Sequence, residues 1–151
     1  METECNNKPP VSILFVEDDE LVLTLQASII DATYPDVMLY TAVNGKSGLE
    51  LFKARIPDIV ITDINMSGMC GVQMSDKIRA IKPDTKIIVI TGNSNASVEN
   101  GKCILRNSDG IRIEVNHFIV KPVDLSQLFT AIEQCIGEIE SLRPDPHVQT
   151  G

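Results

Sequence analysis

Chemically reactive side chains stand directly after four short apolar segments of this sequence. They comprise three carboxylates, one hydroxyl and one ammonium group: Glu17, Asp18, Asp63, Thr91 and Lys121. If the apolar segments are neighbouring parallel strands about 4.8 Å apart, their carboxyl ends meet at one edge of a sheet. Carboxylates on adjacent strands can then share one cation, and a lysine two strands away can reach an acid across about 10 Å.

Three crowded carboxylates raise each other's pKa unless a cation offsets their charge. Oxygen ligands without His or Cys favour Mg²⁺ or Mn²⁺ over Zn²⁺. An aspartate can attack a phosphoryl group and hold it as an acyl phosphate, while a metal and a lysine neutralise the transferring oxygens. The set therefore predicts a phosphoryl-transfer site. The competing interpretation is that Asp18, Asp63 and Thr91 only cap the turns and helices that follow them.

Alternating strand and helix patterns must position these residues. Short apolar runs predict strands, and apolar residues at spacings of three and four predict helices. The predicted strands are 11–16, 37–42, 59–62, 87–90 and 118–120, and the predicted helices are 21–32, 45–54, 71–81 and 124–142. This order is typical of an α/β protein with a doubly wound, five-stranded parallel sheet and strand order 2-1-3-4-5, which binds ligands beyond the carboxyl ends of strands 1 and 3.

The segment between the fourth and fifth predicted strands does not follow this alternation, since much of it is rich in Asn, Ser and Gly. Ile111, Ile113 and Val115 alternate as in a strand, but Ile104 and Ser108 stand at helical spacing from Ile111 and Val115. We favour the helical spacing and predict an irregular or displaced fourth helix here.

Four stretches of the sequence closely resemble the receiver domain of two-component response regulators. They are ILFVEDD at 13–19, VITDINM at 60–66, ITG at 90–92 and FIVKP at 118–122. The resemblance spans about residues 11–142 and leaves an N-terminal tail at 1–10 and a C-terminal tail or linker stub at 143–151. It implies the flavodoxin-like fold of CheY-like receivers, which has the topology predicted above.

The resemblance also implies a role for each residue of the site. Asp63 would accept a phosphoryl group from a sensor histidine kinase or a histidine phosphotransfer protein, and Lys121 would pair with the acceptor and then the phosphoryl oxygen. Mg²⁺ or Mn²⁺ would be held by Glu17, Asp18, Asp63 and the main-chain carbonyl of Asn65. The resemblance implies a signalling switch with slow self-catalysed dephosphorylation rather than an enzyme.

Three further positions match the switching machinery of that family. Thr91 would bond the phosphoryl group, Phe118 would turn inward with it, and Pro122 would follow a cis peptide bond. The surface around helix 4, strand 5 and helix 5 would then change, and an effector that the sequence does not identify would bind it. Ser67 stands where the family commonly has proline, so the loop over the acceptor is expected to be looser.

Other functions compatible with parts of the pattern make different demands on the sequence. A Mg²⁺-dependent phosphohydrolase of the haloacid-dehalogenase type would carry its Asp-x-Asp pair after the first strand, whereas Asp63 follows the third. A flavin-binding module would need a phosphate loop after the first strand, where this sequence has four acids at 17–20. A receiver-like interaction module that is never phosphorylated would not need the complete site.

Composition limits the partners and the compartment. The 151 residues include 13 Lys and Arg and 21 Asp and Glu, which gives a net charge of −8. We therefore expect neither nucleic acid nor an anionic membrane as a direct partner. Four scattered cysteines without a CxxC pair argue against a zinc or thioredoxin-type site. With no signal-peptide pattern or membrane-spanning run, a cytoplasmic location is expected.

Overall fold

A computed structural model of the chain describes residues 9–92, 96–106 and 110–143. The two predicted tails lie outside the described residues except for Pro9, Pro10 and Arg143. Arg143 contacts the body of the fold, because its guanidinium donates to Asp58 Oδ2 at 3.0 Å and to the Pro9 carbonyl oxygen at 2.9 Å. No helix within the described ranges is long and apolar enough to cross a membrane.

The centre of the fold is a parallel five-stranded sheet. Its strands are β1 (Ser12–Val16), β2 (Met38–Ala42), β3 (Ile59–Asp63), β4 (Lys86–Thr91) and β8 (His117–Val120). They lie in the order β2-β1-β3-β4-β8, so the predicted order 2-1-3-4-5 is confirmed, with β8 as the fifth strand of this sheet. The strands are apolar because helices or a second sheet cover both faces, as is typical of parallel sheets.

In the described part of the chain, four helices pack on the sheet: α1 (Glu20–Thr33), α2 (Gly45–Arg55), α3 (Gly71–Ile81) and α4 (Leu125–Leu142). One core cluster joins one sheet face to α1 and α4, and includes Phe15, Ile30 and Ile132. The other joins the opposite face to α2 and α3, and includes Phe52 and Ile78. The predicted helix boundaries agree with these to within about one residue, and Asp124 caps α4 by accepting from the Ser126 amide at 2.9 Å.

The prediction of a fourth helix between β4 and β8 is wrong. The described residues of this segment form three strands, β5 (Ala96–Glu99), β6 (Lys102–Arg106) and β7 (Arg112–Val115). They pair antiparallel in the order β5-β6-β7 and make a second, small sheet. Its inner face joins the α2 and α3 cluster through Leu105, Ile113 and Val115. The small sheet therefore covers the part of the main sheet that a helix was expected to cover.

Turn chemistry explains why this segment folds as a hairpin. Asn100 and Gly101 connect β5 to β6 with φ of 54° and 77°, and two consecutive positive φ values are the geometry of a type I′ turn. An Asn-Gly pair is the strongest short-range signal for such a turn. From Lys102 to Arg106 the side chains alternate between the two sheet faces, so Leu105 points into the core. The helical spacing of Ile104, Ile111 and Val115 was coincidental.

Candidate functional site

The carboxyl end of β3 holds the buried acid at the centre of the site. Asp63 is 1% exposed, and its Oδ2 accepts a hydrogen bond from Lys121 Nζ at 2.5 Å. Its Oδ1 accepts from the main-chain amide of Asn65 at 3.0 Å. An ionised buried carboxylate needs such partners, because its desolvation is otherwise costly. Lys121 and Asp63 thus meet across two strands, as the sheet spacing predicted.

Lys121 is held in place by the neighbouring strand β4. Its main-chain amide donates to the carbonyl of Thr91 at 2.8 Å, and its peptide bond to Pro122 is cis. The hydrogen bond that Lys121 donates to Asp63 raises the pKa of the Lys121 ammonium, burial lowers it, and the charges of the nearby carboxylates raise it further. The side chain is 42% exposed, so the ammonium bridges the buried acid and solvent.

The acidic pair after β1 faces the same edge. Glu17 is only 4% exposed, whereas Asp18 is exposed. Burial raises the pKa of the Glu17 carboxyl, and the charge of Asp63 and a hydrogen-bond contact with Asp18 act in the same direction. The Asp19 amide, which donates to Glu17 Oε2 at 3.0 Å, acts in the opposite direction. The raised pKa of Glu17 therefore comes first from burial, and the charge of Asp63 adds to it.

The loop after β3 closes over the acids through its main chain. The Ser67 amide lies 3.4 Å from Asp18 Oδ2, which ties this exposed carboxylate to the loop. Gly71 begins α3 against the end of β3, and a Cβ atom there would lie 2.4 Å from the Asp63 carbonyl oxygen. The close approach at Gly71 has no local signal in the sequence, because only the tertiary structure brings the two main chains together.

The donor set fits a hard divalent cation. Carboxylates of Glu17, Asp18 and Asp63 and the main chain of Asn65 stand at the edge, and oxygen ligands are those that Mg²⁺ and Mn²⁺ prefer. Within the described part of the chain, no three His, Cys, Asp or Glu side chains form a ready-made ligand cluster. A metal here would therefore be held by fewer side chains, together with main-chain oxygen and water, as is usual for Mg²⁺.

Two more predicted residues lie on the sheet face that the small sheet covers. Thr91 is fully buried at the end of β4, and Phe118 is half-buried opposite Val89 on β8. Because side chains alternate along a strand, Val89 and Thr91 share one face. Val89 and Phe118 both pack in the cluster that contains Leu105. The structure thus brings together Glu17, Asp18, Asp63, Asn65 and Lys121, and places Phe118 farther from the acids.

The fold and this edge of acids and lysine define a class of signalling domain rather than a particular protein. The family model for the response regulator receiver domain matches residues 13–133. The chain therefore belongs to the response regulator receiver family. Receiver domains act in two-component signalling, interact with histidine kinases and phosphotransfer proteins, and are generally Mg²⁺-dependent for phosphorylation.

Curated relatives agree with this assignment. The chain is 29% identical over 136 residues to the uncharacterized transcriptional regulatory protein YesN of Bacillus subtilis, covering 89% of this chain and 34% of YesN. It is 28% identical over 143 residues to the nitrate/nitrite response regulator protein NarL of Escherichia coli, covering 92% of this chain and 62% of NarL. The chain thus spans only part of these relatives. Because YesN is named a transcriptional regulatory protein, the expectation that nucleic acid is not a partner finds no support here.

Solved structures share the fold. The N-terminal domain of an uncharacterized protein from Wolinella succinogenes matches with a TM-score of 0.70 and 26% identity, covering 88% of this chain and 99% of that one. A response regulator receiver domain protein from Clostridium thermocellum matches with a TM-score of 0.70 and 22% identity, covering 88% and 99%. The second likeness is evidence for the fold alone.

Proposed function

We propose that this chain accepts a phosphoryl group on Asp63 from a sensor histidine kinase or a histidine phosphotransfer protein. The observation that carries the proposal is the buried Asp63 carboxylate, whose Oδ2 accepts from Lys121 Nζ at the edge that also holds Glu17 and Asp18. A capping role alone needs neither a buried acid nor a lysine that reaches it from two strands away.

The reaction follows from the chemistry of an aspartate nucleophile. A carboxylate oxygen of Asp63 attacks the phosphorus of a phosphohistidine, so that an O–P bond forms as the N–P bond breaks and the imidazole leaves. The Lys121 ammonium then neutralises a phosphoryl oxygen. Mg²⁺ held by Asp18, Asp63 and the Asn65 carbonyl, with Glu17 bound to it through water, would supply the positive charge that the phosphoryl oxygens need.

The product is a signal rather than a released metabolite. Thr91 and Phe118 act as switch residues, and the phosphoprotein presents a changed surface to an effector. Dephosphorylation is self-catalysed and slow. The folded domain covers residues 11–142, with tails at 1–10 and 143–151. We assign the domain to the cytoplasm, where its phosphodonors have their ATP.

Intact mass spectrometry tests the proposal. The chain is incubated with Mg²⁺ and acetyl phosphate, and a gain of one phosphoryl group is expected. Asp63→Asn is expected to lose the gain, whereas Asp76→Asn, which removes an exposed acid of α3, is expected to keep it. Omitting Mg²⁺ or adding a chelator is expected to slow labelling strongly.

Two other results would overturn the proposal in different ways. Repeated hydrolysis of small phosphate esters that depends on Asp63 would make the chain a phosphohydrolase. Absence of a phosphoryl group at any donor concentration, with folded protein and bound Mg²⁺, would make it a receiver-like interaction module that is not phosphorylated.

A further inference from the structure

The small sheet is inserted between two residues of the site. β4 ends at Thr91 and leads towards β5, and β8 returns from β7 to Lys121. The two ends are joined, because the Lys121 amide donates to the Thr91 carbonyl at 2.8 Å. The segment from Thr91 to Lys121 is therefore a closed loop whose base lies at the phosphoacceptor. A displacement of Thr91 or Lys121 would therefore reach the small sheet through the main chain that connects them.

β7 and β8 are two halves of one bent segment. β7 pairs antiparallel with β6, and after the single residue Asn116 the chain continues as β8, which pairs parallel with β4. Asn116 makes the junction: its amide donates to the Ile87 carbonyl at 2.9 Å, and its side-chain Oδ1 accepts from the Ile87 amide at 2.8 Å. Asn116 therefore ties the junction to the main sheet through its main-chain amide and its side-chain oxygen.

Arg79 of α3 holds the same junction from outside the sheet. Its NH2 group donates to Asn116 Oδ1 at 3.0 Å and its NH1 group to the Glu114 carbonyl of β7 at 2.9 Å. Its Nε donates to the Thr85 carbonyl just before β4 at 3.0 Å. The guanidinium thus links α3, the start of β4 and the end of β7. A planar fork of donors gives this link a defined geometry that a lysine lacks.

Side-chain packing connects the switch residues to the small sheet. Phe118 packs in the same cluster as Leu105, Ile113 and Val115. Cys103 of β6 packs against this cluster as well. A movement of Phe118 therefore changes the packing beneath β6 and β7, while the junction at Asn116 remains bonded to β4 and Arg79.

We propose that the β5–β7 sheet is the element that phosphorylation of Asp63 displaces, and that it pivots at the junction of Asn116 and Arg79. The inference rests on the proposed function and specifies its output. A chain with a helix at this place would present a helical surface; this one presents the outer face of a sheet. A displacement of the sheet therefore moves a charged surface. The charged side chains of that face are Glu99, Lys102, Arg106, Arg112 and Glu114.

Hydrogen–deuterium exchange with mass spectrometry measures the displacement. The whole chain is compared with and without acetyl phosphate in Mg²⁺, and the phosphorylated fraction is measured on the same samples by intact mass. We expect exchange in peptides covering 96–106 and 110–117 to change by about fivefold or more, the lower end of ordinary coupling between sites. Peptides covering β1 and β2 serve as the internal control and are expected to change little.

Two substitutions at the junction test the pivot. Asn116→Asp keeps an acceptor for both the Ile87 amide and Arg79, and is expected to keep the exchange change. Asn116→Ala removes that acceptor and is expected to lose most of the change, although it takes up the phosphoryl group to the same extent, since Asp63 and Lys121 are untouched. Unchanged exchange in β1 shows that the alanine variant remains folded.

The outcomes separate the two proposals. A chain that takes up the phosphoryl group on Asp63 without an exchange change in the small sheet would overturn this inference and leave the proposed function intact. A full exchange change in Asn116→Ala would overturn the pivot. If no phosphoryl group is taken up, the proposed function fails, and this inference fails with it.

Discussion

Replacement of Lys121 by methionine is the perturbation that tests the energetic design of the site most directly. Methionine has a similar length but no charge, so it leaves the Asp63 carboxylate buried at 1% exposure without its cation. Removing one partner of a fully buried ion pair costs about 3–5 kcal/mol. The Lys121 side chain is 42% exposed, so water recovers part of this cost, and we expect a loss of about 2 kcal/mol in the free energy of unfolding, scaled from that range.

The reverse substitution is expected to behave differently. Asp63→Asn leaves an ammonium that solvent can reach, and it removes one charge that repels Glu17. We therefore expect Asp63→Asn to change stability much less than Lys121→Met. In the double variant, which combines Lys121→Met with Asp63→Asn, no buried carboxylate is left without a cation. The coupling energy of this double-mutant cycle is therefore expected to be about 1 kcal/mol or more.

Urea unfolding in a chelator, followed by far-UV circular dichroism, measures the four proteins of the cycle. Mg²⁺ is then added to the wild type and to Lys121→Met. A cation that binds only the folded state at a hundred times its Kd stabilises by about 2.7 kcal/mol, and we expect the larger gain in Lys121→Met, whose carboxylates lack the ammonium. A coupling energy near zero, or equal gains from Mg²⁺, would refute the electrostatic reasoning.

Three further predictions concern the surroundings of the site. Because the pKa of the Glu17 carboxyl is raised, its contribution to stability is full below its ordinary value of 4.5 and is lost as the pH rises through the folded-state pKa; Glu17→Gln should therefore stabilise the metal-free protein at pH 7 but not at pH 4 in urea titrations. Gly71→Ala, whose Cβ would lie 2.4 Å from a main-chain oxygen, should cost more than about 2 kcal/mol, whereas Gly137→Ala, in open space within α4, should gain about 0.5–1 kcal/mol; thermal melts compare the two. Chains that end at Leu142 and at Arg143 should differ by about 1 kcal/mol in urea unfolding, since only the longer one keeps the charge-assisted hydrogen bonds of Arg143, and equal stability would contradict a role for Arg143 in the fold.

The main sheet was predictable because its signals are local. Runs such as 59–62 and 87–90 are too short and too β-branched to be helices, and the acids or turn residues that follow them mark their ends. Right-handed crossovers and the common strand order then leave few topologies. The contact between Asp63 and Lys121 follows from that order and the strand spacing alone.

The small sheet was missed although its strongest signal was present. Asn100-Gly101 stands between two short segments that contain β-branched residues, and such a pair is typical of a hairpin. The helical spacing from Ile104 to Val115 is the weaker signal, because Gly110 interrupts it and Gly101 stands just before it. Both glycines adopt positive φ, which a helix does not contain. The Arg79 and Asn116 junction carries no local signal, since its partners are distant in sequence.

The difference between these two outcomes has a physical cause. The site depends on where four strands end, and each strand end is determined by a few neighbouring residues together with the sheet order. The element that covers the α2 and α3 face of the sheet is less strictly determined. A helix and a small antiparallel sheet can supply the same apolar contacts to Val89 and Ile87. In this chain Leu105 of β6 and Ile113 and Val115 of β7 supply those contacts. A receiver can therefore keep the residues at its strand ends while the element that covers this face of the sheet is a small antiparallel sheet instead of a helix.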